Sequence, residues 1–215
     1  MIRVLIADDH AIVRQGLRQI VADHTHIQVA GEASCGQEVL DVASKDDYDV
    51  VVLDITMPGK SGLEVLKELK GLKPKLPVLM LSVYPEEQYA VRVLKAGASG
   101  YLTKECAPDE LIAAIKSISG GHRYVTSFLS EKLASQLGLE EAKPPQESLS
   151  DREYQVMLML ASGKTVGEIA RELFLSTKSI STYRQRILAK MKLKSNAELT
   201  YYAIQNRLIS QNNQH

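Results

Sequence analysis

The chain has no tryptophan, two phenylalanines and two cysteines among its 215 residues. With no Trp and only two Phe, the first half offers little sign of an aromatic ligand pocket. Cys35 and Cys106 stand alone, without the spacing of zinc ligands or of a disulfide framework, and read as reduced cytosolic thiols. No apolar run reaches the roughly 18 residues of a membrane span. Met1-Ile2-Arg3 leads directly into a strand pattern without the features of a signal peptide, so a cytoplasmic protein with no membrane partner is expected. Internal repeats and low-complexity tracts are also lacking.

Net charge is lacking too: 26 Lys and Arg offset 26 Asp and Glu. The balance conceals a split. Residues 148–215 hold ten basic and five acidic residues, a net of +5, so residues 1–147 carry −5. Six basic residues and no acid lie between Lys178 and Lys194. An acidic half and a basic half predict two domains with different partners.

The first half alternates short apolar runs with helical periodicity. Ile2–Ala7, Ile27–Ala30, Val50–Leu53, Val78–Leu81 and Gly100–Leu102 read as strands, several apolar at consecutive positions, as in a sheet covered on both faces. Helices are expected near 11–23, 36–45, 61–72, 86–96 and 108–119. Ser61 with Glu64 forms a capping-box pattern at the third, and Pro108 suits the first turn of the fifth. Five βα units predict an α/β fold, a doubly wound five-stranded parallel sheet whose ligands bind beyond the carboxyl ends of the strands.

The chemistry-bearing residues fall at those ends. Asp8-Asp9 follow the first strand, Asp54 the third, Ser82 the fourth and Thr103-Lys104 the fifth. Crowded carboxylates repel one another and favour a hard divalent cation, Mg²⁺ rather than zinc. A carboxylate beside such an ion can accept a phosphoryl group, whose oxygens Lys104 and Ser82 would contact. His10 reads as the start of the first helix rather than as a ligand.

Residues 1–121 resemble the receiver domain of two-component response regulators. The likeness rests on Ala7-Asp8-Asp9-His10, Asp54-Ile55-Thr56-Met57-Pro58-Gly59, Leu81-Ser82 and Gly97-Ala98-Ser99-Gly100-Tyr101-Leu102-Thr103-Lys104. It implies that Asp54 is the phosphoacceptor and that Asp9, Asp54 and the Thr56 carbonyl ligate Mg²⁺, with Asp8 acting largely through water. It also implies that Ser82 and Tyr101 are a switch pair and that a sensor histidine kinase is the donor. Glu105 stands where many receivers have proline, leaving the isomer of the Lys104–Glu105 peptide open.

Residues 148–215 show helical rhythm and repeated caps at Ser150/Glu153, Thr165/Glu168, Ser176 and Ser195/Glu198. The pattern predicts an all-α four-helix domain. In its third helix, about 177–191, Ile180, Tyr183, Ile187 and Met191 share one side. Lys178, Thr182, Gln185 and Ala189 lie opposite, with Ser181 and Arg186 on the shoulders. Following another helix across Phe174-Leu175-Ser176, this is the order of a helix-turn-helix.

The half resembles the LuxR-type (NarL/FixJ) DNA-binding domain through Leu149-Ser150-Asp151-Arg152-Glu153, Gly167-Glu168-Ile169-Ala170 and Met191-Lys192-Leu193-Lys194-Ser195. The likeness implies a double-stranded DNA operator read by Ser181, Thr182 and Gln185. Lys178, Arg184, Arg186, Lys190 and Lys194 would hold phosphates. A homodimer when phosphorylated or DNA-bound would use the last helix, about 196–206, through Leu199 and Tyr202. Residues 122–147 are expected to be a linker with a helix at 127–137. Gly163-Lys164-Thr165 is not a phosphate-binding loop, because Leu158 stands where that loop needs glycine.

Two rival readings follow from the same residues. A phosphohydrolase using the same carboxylates is disfavoured by Thr56, where such enzymes carry a second aspartate. A ligand-sensing transcription factor is disfavoured by the lack of Trp and the presence of only two Phe, which give the first half little sign of an aromatic ligand pocket. The chain is therefore expected to be a regulator rather than an enzyme, apart from accepting and slowly losing its own phosphoryl group.

Overall fold

The computed structural model describes residues 1–126, 129–130 and 144–209. The chain divides into two compact units, Met1–Leu137 and Gly138–His215. The helix expected over 127–137 falls almost wholly outside the described residues.

The first unit is a five-stranded parallel sheet in the order β2-β1-β3-β4-β5, formed by β1 (Ile2–Ala7), β2 (Ile27–Ala33), β3 (Val50–Asp54), β4 (Val78–Ser82) and β5 (Gly100–Thr103). Helices α1 (Ala11–Ala22), α2 (Gly36–Lys45), α3 (Gly62–Leu72), α4 (Glu86–Lys95) and α5 (Pro108–Ser119) alternate with them. Every residue of β3 and β4 is buried, which explains their unbroken apolar runs. Val4, Ile6, Val50, Val52, Leu79, Leu81 and Leu102 pack in one core with Leu111, Ile112, Ile115 and Ile118 of α5. The order reverses between β1 and β3, so the crevice at their carboxyl ends is the topological switch point.

Strand β2 runs three residues beyond the expected Ala30, through Gly31-Glu32-Ala33. Gly31 ends the apolar pattern yet belongs to the strand, because a Cβ there would meet the Tyr48 hydroxyl at 2.4 Å. The residues expected to open the linker also stay with this unit. Tyr124 N–H donates to the Ser99 carbonyl at 2.9 Å and pairs with Gly100, covering the outer edge of β5. Thr126 Oγ1 donates to both carboxylate oxygens of Glu86, at 2.9 and 2.7 Å.

The second unit is helical in its described residues. A 3₁₀ turn (Pro145–Ser148) precedes α6 (Asp151–Ala161), α7 (Val166–Glu172), α8 (Thr177–Met191) and α9 (Asn196–Gln205). Ser150 and Thr165 form complete capping boxes with Glu153 and Glu168. Ser176 accepts from the Ser179 N–H. Ser195 caps α9, but the Glu198 carboxylate turns to the Lys194 N–H, so the expected box there is only half formed. Ile169, Ala170, Ile180, Ile187 and Met191 are buried, as the helical periodicity requires. Leu199 is also fully buried on α9, and Tyr202 bonds to Gln146. Leu199 thus corrects the expected dimer contact: its side chain faces inward, while Tyr201 is the exposed aromatic of that helix.

Candidate functional site

Strands β1, β3 and β5 deliver four charged groups to the switch point. Asp8 and Asp54 are 1% and 3% exposed, and the Lys104 side chain is 13% exposed. Lys104 Nζ lies 2.6 Å from Asp8 Oδ2 and 2.8 Å from Asp54 Oδ2, so one ammonium bridges two buried carboxylates. Two negative charges against one positive leave the pocket acidic. Burial, offset in part by Lys104, pushes the Asp54 carboxyl up to about 6, with Asp8 adding to the rise and the Thr56 N–H opposing it. The Lys104 ammonium is penalised by the same burial, yet Asp54 and Asp8 outweigh the penalty and hold its pKa above the ordinary lysine value.

Ligand atoms of Asp8, Asp9, His10 and Asp54 lie within 4.8 Å of one another, a set able to surround one small cation. His10 is the N-cap of α1 as expected, but its ring also enters this set. Nδ1 sits 3.2 Å from Asp8 Oδ1 and 2.8 Å from Asp9 Oδ1. Behind them the Arg14 guanidinium donates to the Asp8 carbonyl at 2.7 Å and pairs with Glu32, bracing the β1–α1 loop against β2.

Ser82 is fully buried beside the pocket, and its Oγ accepts from the Tyr84 N–H at 3.1 Å. The Tyr101 ring lies inward, 1% exposed, with its hydroxyl donating to the Tyr84 carbonyl at 2.6 Å. Burial raises the Tyr101 phenol well above its ordinary pKa. Ser82 and Tyr101 therefore converge on one residue of the β4–α4 loop. The Lys104–Glu105 peptide is trans, since no cis bond occurs among the described residues.

Gly62 escaped the sequence reading. A Cβ at that position would lie 1.9 Å from the Asp54 carbonyl oxygen, so the first turn of α3 seats directly on the acceptor's backbone. Its place beside the Ser61 cap was the available signal.

On α8, Lys178, Ser181, Thr182, Gln185 and Arg186 are exposed together on the face opposite the buried Ile180 and Ile187. Neither Lys178 nor Arg186 pairs with a carboxylate among the described residues. Thr182 Oγ1 bonds back to the Lys178 carbonyl at 3.0 Å. Two expected phosphate contacts are engaged elsewhere: Arg184 donates to Asn196 Oδ1 at 2.7 Å, and Lys190 Nζ pairs with Glu153 Oε2 at 2.6 Å. Lys194 is exposed at the turn into α9.

Residues 4–116 match the response regulator receiver domain, and residues 147–203 match the bacterial regulatory proteins of the luxR family. The chain belongs to the response regulators. The response regulator is 41% identical to UvrY of Escherichia coli K12 over 97% of this chain and 96% of that one. It is 38% identical to GacA of Pseudomonas aeruginosa PAO1 over 97% and 98%. Among solved structures it resembles RcsB of Salmonella enterica serovar Typhimurium bound to the promoter rprA with the phosphomimetic BeF3⁻. That match has a TM-score of 0.64 and 28% identity, and covers 94% of this chain and 98% of that one. The response regulator is thus a phosphorylation-regulated transcription factor of the NarL/FixJ type, with a receiver sheet and a LuxR-type helix-turn-helix. No helix of the described residues is long and apolar enough to cross a membrane.

Proposed function

We propose that Asp54 accepts a phosphoryl group from a sensor histidine kinase and that this controls operator binding by α8. The supporting observation is the bridge from Lys104 to Asp54 and Asp8 in a buried pocket with Asp9 alongside. On this reading the receiver spans 1–121 and the DNA-binding domain 148–215, joined by a 122–147 linker whose Tyr124 and Thr126 pack on the first unit.

The donor set is carboxylate-rich with a lone imidazole, which suits Mg²⁺ held by Asp9, Asp54 and the Thr56 carbonyl, with Asp8 acting through water. Bound there, Mg²⁺ supplies neutralisation of the crowded oxyanions. Asp54 attacks the phosphorus of a phosphohistidine or of acetyl phosphate. A P–O bond to Asp54 forms as the bond to the leaving group breaks, and the leaving group keeps that electron pair. Lys104 exchanges a carboxylate partner for a phosphoryl oxygen, and Ser82 Oγ turns from the Tyr84 N–H toward the same group. Water slowly hydrolyses the acyl phosphate, releasing inorganic phosphate and restoring the Asp54 carboxylate, which makes the chain a self-modifying switch rather than a turnover enzyme.

The new charge, close to −2 at neutral pH, biases the Ser82–Tyr84–Tyr101 arrangement and with it the α4–β5 face. Release of the second unit, homodimerisation, or both would follow, with the operator read by Ser181, Thr182 and Gln185. Lys178, Arg186 and Lys194 are free to hold phosphates, whereas Arg184 and Lys190 must first leave Asn196 and Glu153. On this reading the protein acts in the cytoplasm, where kinase and DNA meet.

Labelling with acetyl phosphate and Mg²⁺ is the test. The wild type should gain one phosphoryl group and Asp54→Asn none; undiminished labelling of Asp54→Asn would overturn the assignment.

A further inference from the structure

At the end of the sheet opposite Asp54, a cavity of about 400 Å³ opens between the α3–β4 loop, the α4–β5 loop and the segment following α5. Its wall carries Lys70, Lys75, His122 and Arg123 with no carboxylate, over a floor that includes Ile118 and Ser99. The adjoining cavity of about 650 Å³ differs: Asp47 and Asp49 line it, and Lys73 pairs with Asp47 at 2.9 Å. One hollow is compensated and the other is not.

Lys70 is held in place. Its methylene stem runs past Gly97, where a Cβ would lie 3.3 Å from Lys70 Cγ, and Gly97 has φ +103°. Nζ donates to the Leu76 carbonyl at 2.6 Å, a neutral partner that leaves its charge unmatched. Arg123 stands close enough to repel it, and burial together with that repulsion lowers the Lys70 ammonium below the ordinary lysine range. The half-buried Lys70 and the exposed Arg123 are like charges at one hollow, and an anion between them would relieve their repulsion.

We propose that this hollow binds a small phosphate-bearing anion of the size and charge of pyrophosphate. Lys70, Lys75 and Arg123 supply three positive charges, and the Ser99 hydroxyl supplies a neutral donor. A concave wall with a fixed lysine suits a compact ligand, and no phenylalanine, tyrosine or tryptophan lines it. The site does not depend on the phosphoacceptor assignment. It bears on the linker, because the Ser99 carbonyl that receives the Tyr124 N–H belongs to the same loop. Binding would tighten the attachment of residues 121–124 to β5.

The test uses the full chain with EDTA present, so that no divalent ion recruits phosphate to the acidic pocket. Titration with pyrophosphate, followed by amide NMR, should move Lys70, Ser99, Arg123 and Tyr124. Lys70→Gln and Arg123→Gln should each weaken binding about tenfold, the loss of one charge-assisted hydrogen bond. Both variants should remain folded, with cooperative urea unfolding, so that weaker binding reports the lost charge rather than a lost fold. Sulfate at equal ionic strength should bind more weakly. No shift at millimolar pyrophosphate, shifts confined to residues 178–194, or undiminished binding by both variants would refute the site. Equal binding of sulfate, abolished by salt alone, would reduce it to a solvated basic surface.

Discussion

At pH 8 the folded protein holds Asp54 ionised against its surroundings, so the neutral isostere asparagine should stabilise the first unit. Burial raises the carboxyl from 3.8 to about 6, a difference of about 2 units, or about 3 kcal/mol at 1.36 kcal/mol per unit. The group is 3% exposed, so solvent screening does not reduce that figure much. Because the folded pKa lies above the unfolded one, the stabilising contribution is complete below pH 3.8 and is lost as pH rises through 6. Wild-type stability should therefore decline by up to about 3 kcal/mol through this group over that window. Asp54→Asn has no such decline, and Lys104 keeps Asp8 as its partner at 2.6 Å. Urea unfolding read at the β3 amides should show the variant's advantage growing from about pH 4 to 7 and level by pH 8. Mg²⁺ should shrink the advantage by binding the wild-type folded state. Parallel profiles for the two proteins, or a less stable variant at pH 8, would mean that the Lys104 ion pair outweighs burial and that the reasoning is wrong.

Other outcomes follow from single contacts. Gly62→Ala should cost about 1–3 kcal/mol and reduce beryllofluoride uptake, because its methyl displaces the Asp54 carbonyl, while Gly71→Ala, with open space around its Cβ, should do neither. Phe174 is 67% exposed at φ 55°, so Phe174→Gly should raise the thermal midpoint by relieving about 1 kcal/mol of left-handed strain; a lower midpoint would contradict this. Glu153→Gln keeps the α6 cap but frees Lys190, and should steepen the salt dependence of DNA binding by about one phosphate contact; an unchanged slope would show that Lys190 faces away from the duplex.

The parts of the molecule visible in the residue order are those ruled by local physics. Consecutive apolar residues marked β3 and β4 because both faces of the sheet are covered, and caps such as Ser61, Ser150 and Thr165 marked helix starts within one residue. The acidic site was legible for a related reason: Asp8, Asp54 and Lys104 each follow an apolar strand, and a parallel sheet brings such ends together whatever the helices between them do. What was missed needs distances between segments far apart in the chain. Glu153 and Lys190 are 37 residues apart and meet only when α6 packs on α8, so the family likeness offered Lys190 as a phosphate contact without naming its partner. Leu199 fits either side of a helix until the packing of α6 shows which side is core. Gly62 and Gly31 look like ordinary loop and breaker residues, yet each is required by one atom of a distant neighbour, the Asp54 carbonyl and the Tyr48 hydroxyl. The same logic bears on Lys70 and Arg123: each alone is a surface charge, and only the fold, by setting them at one hollow without an acid, gives them a shared reason to bind.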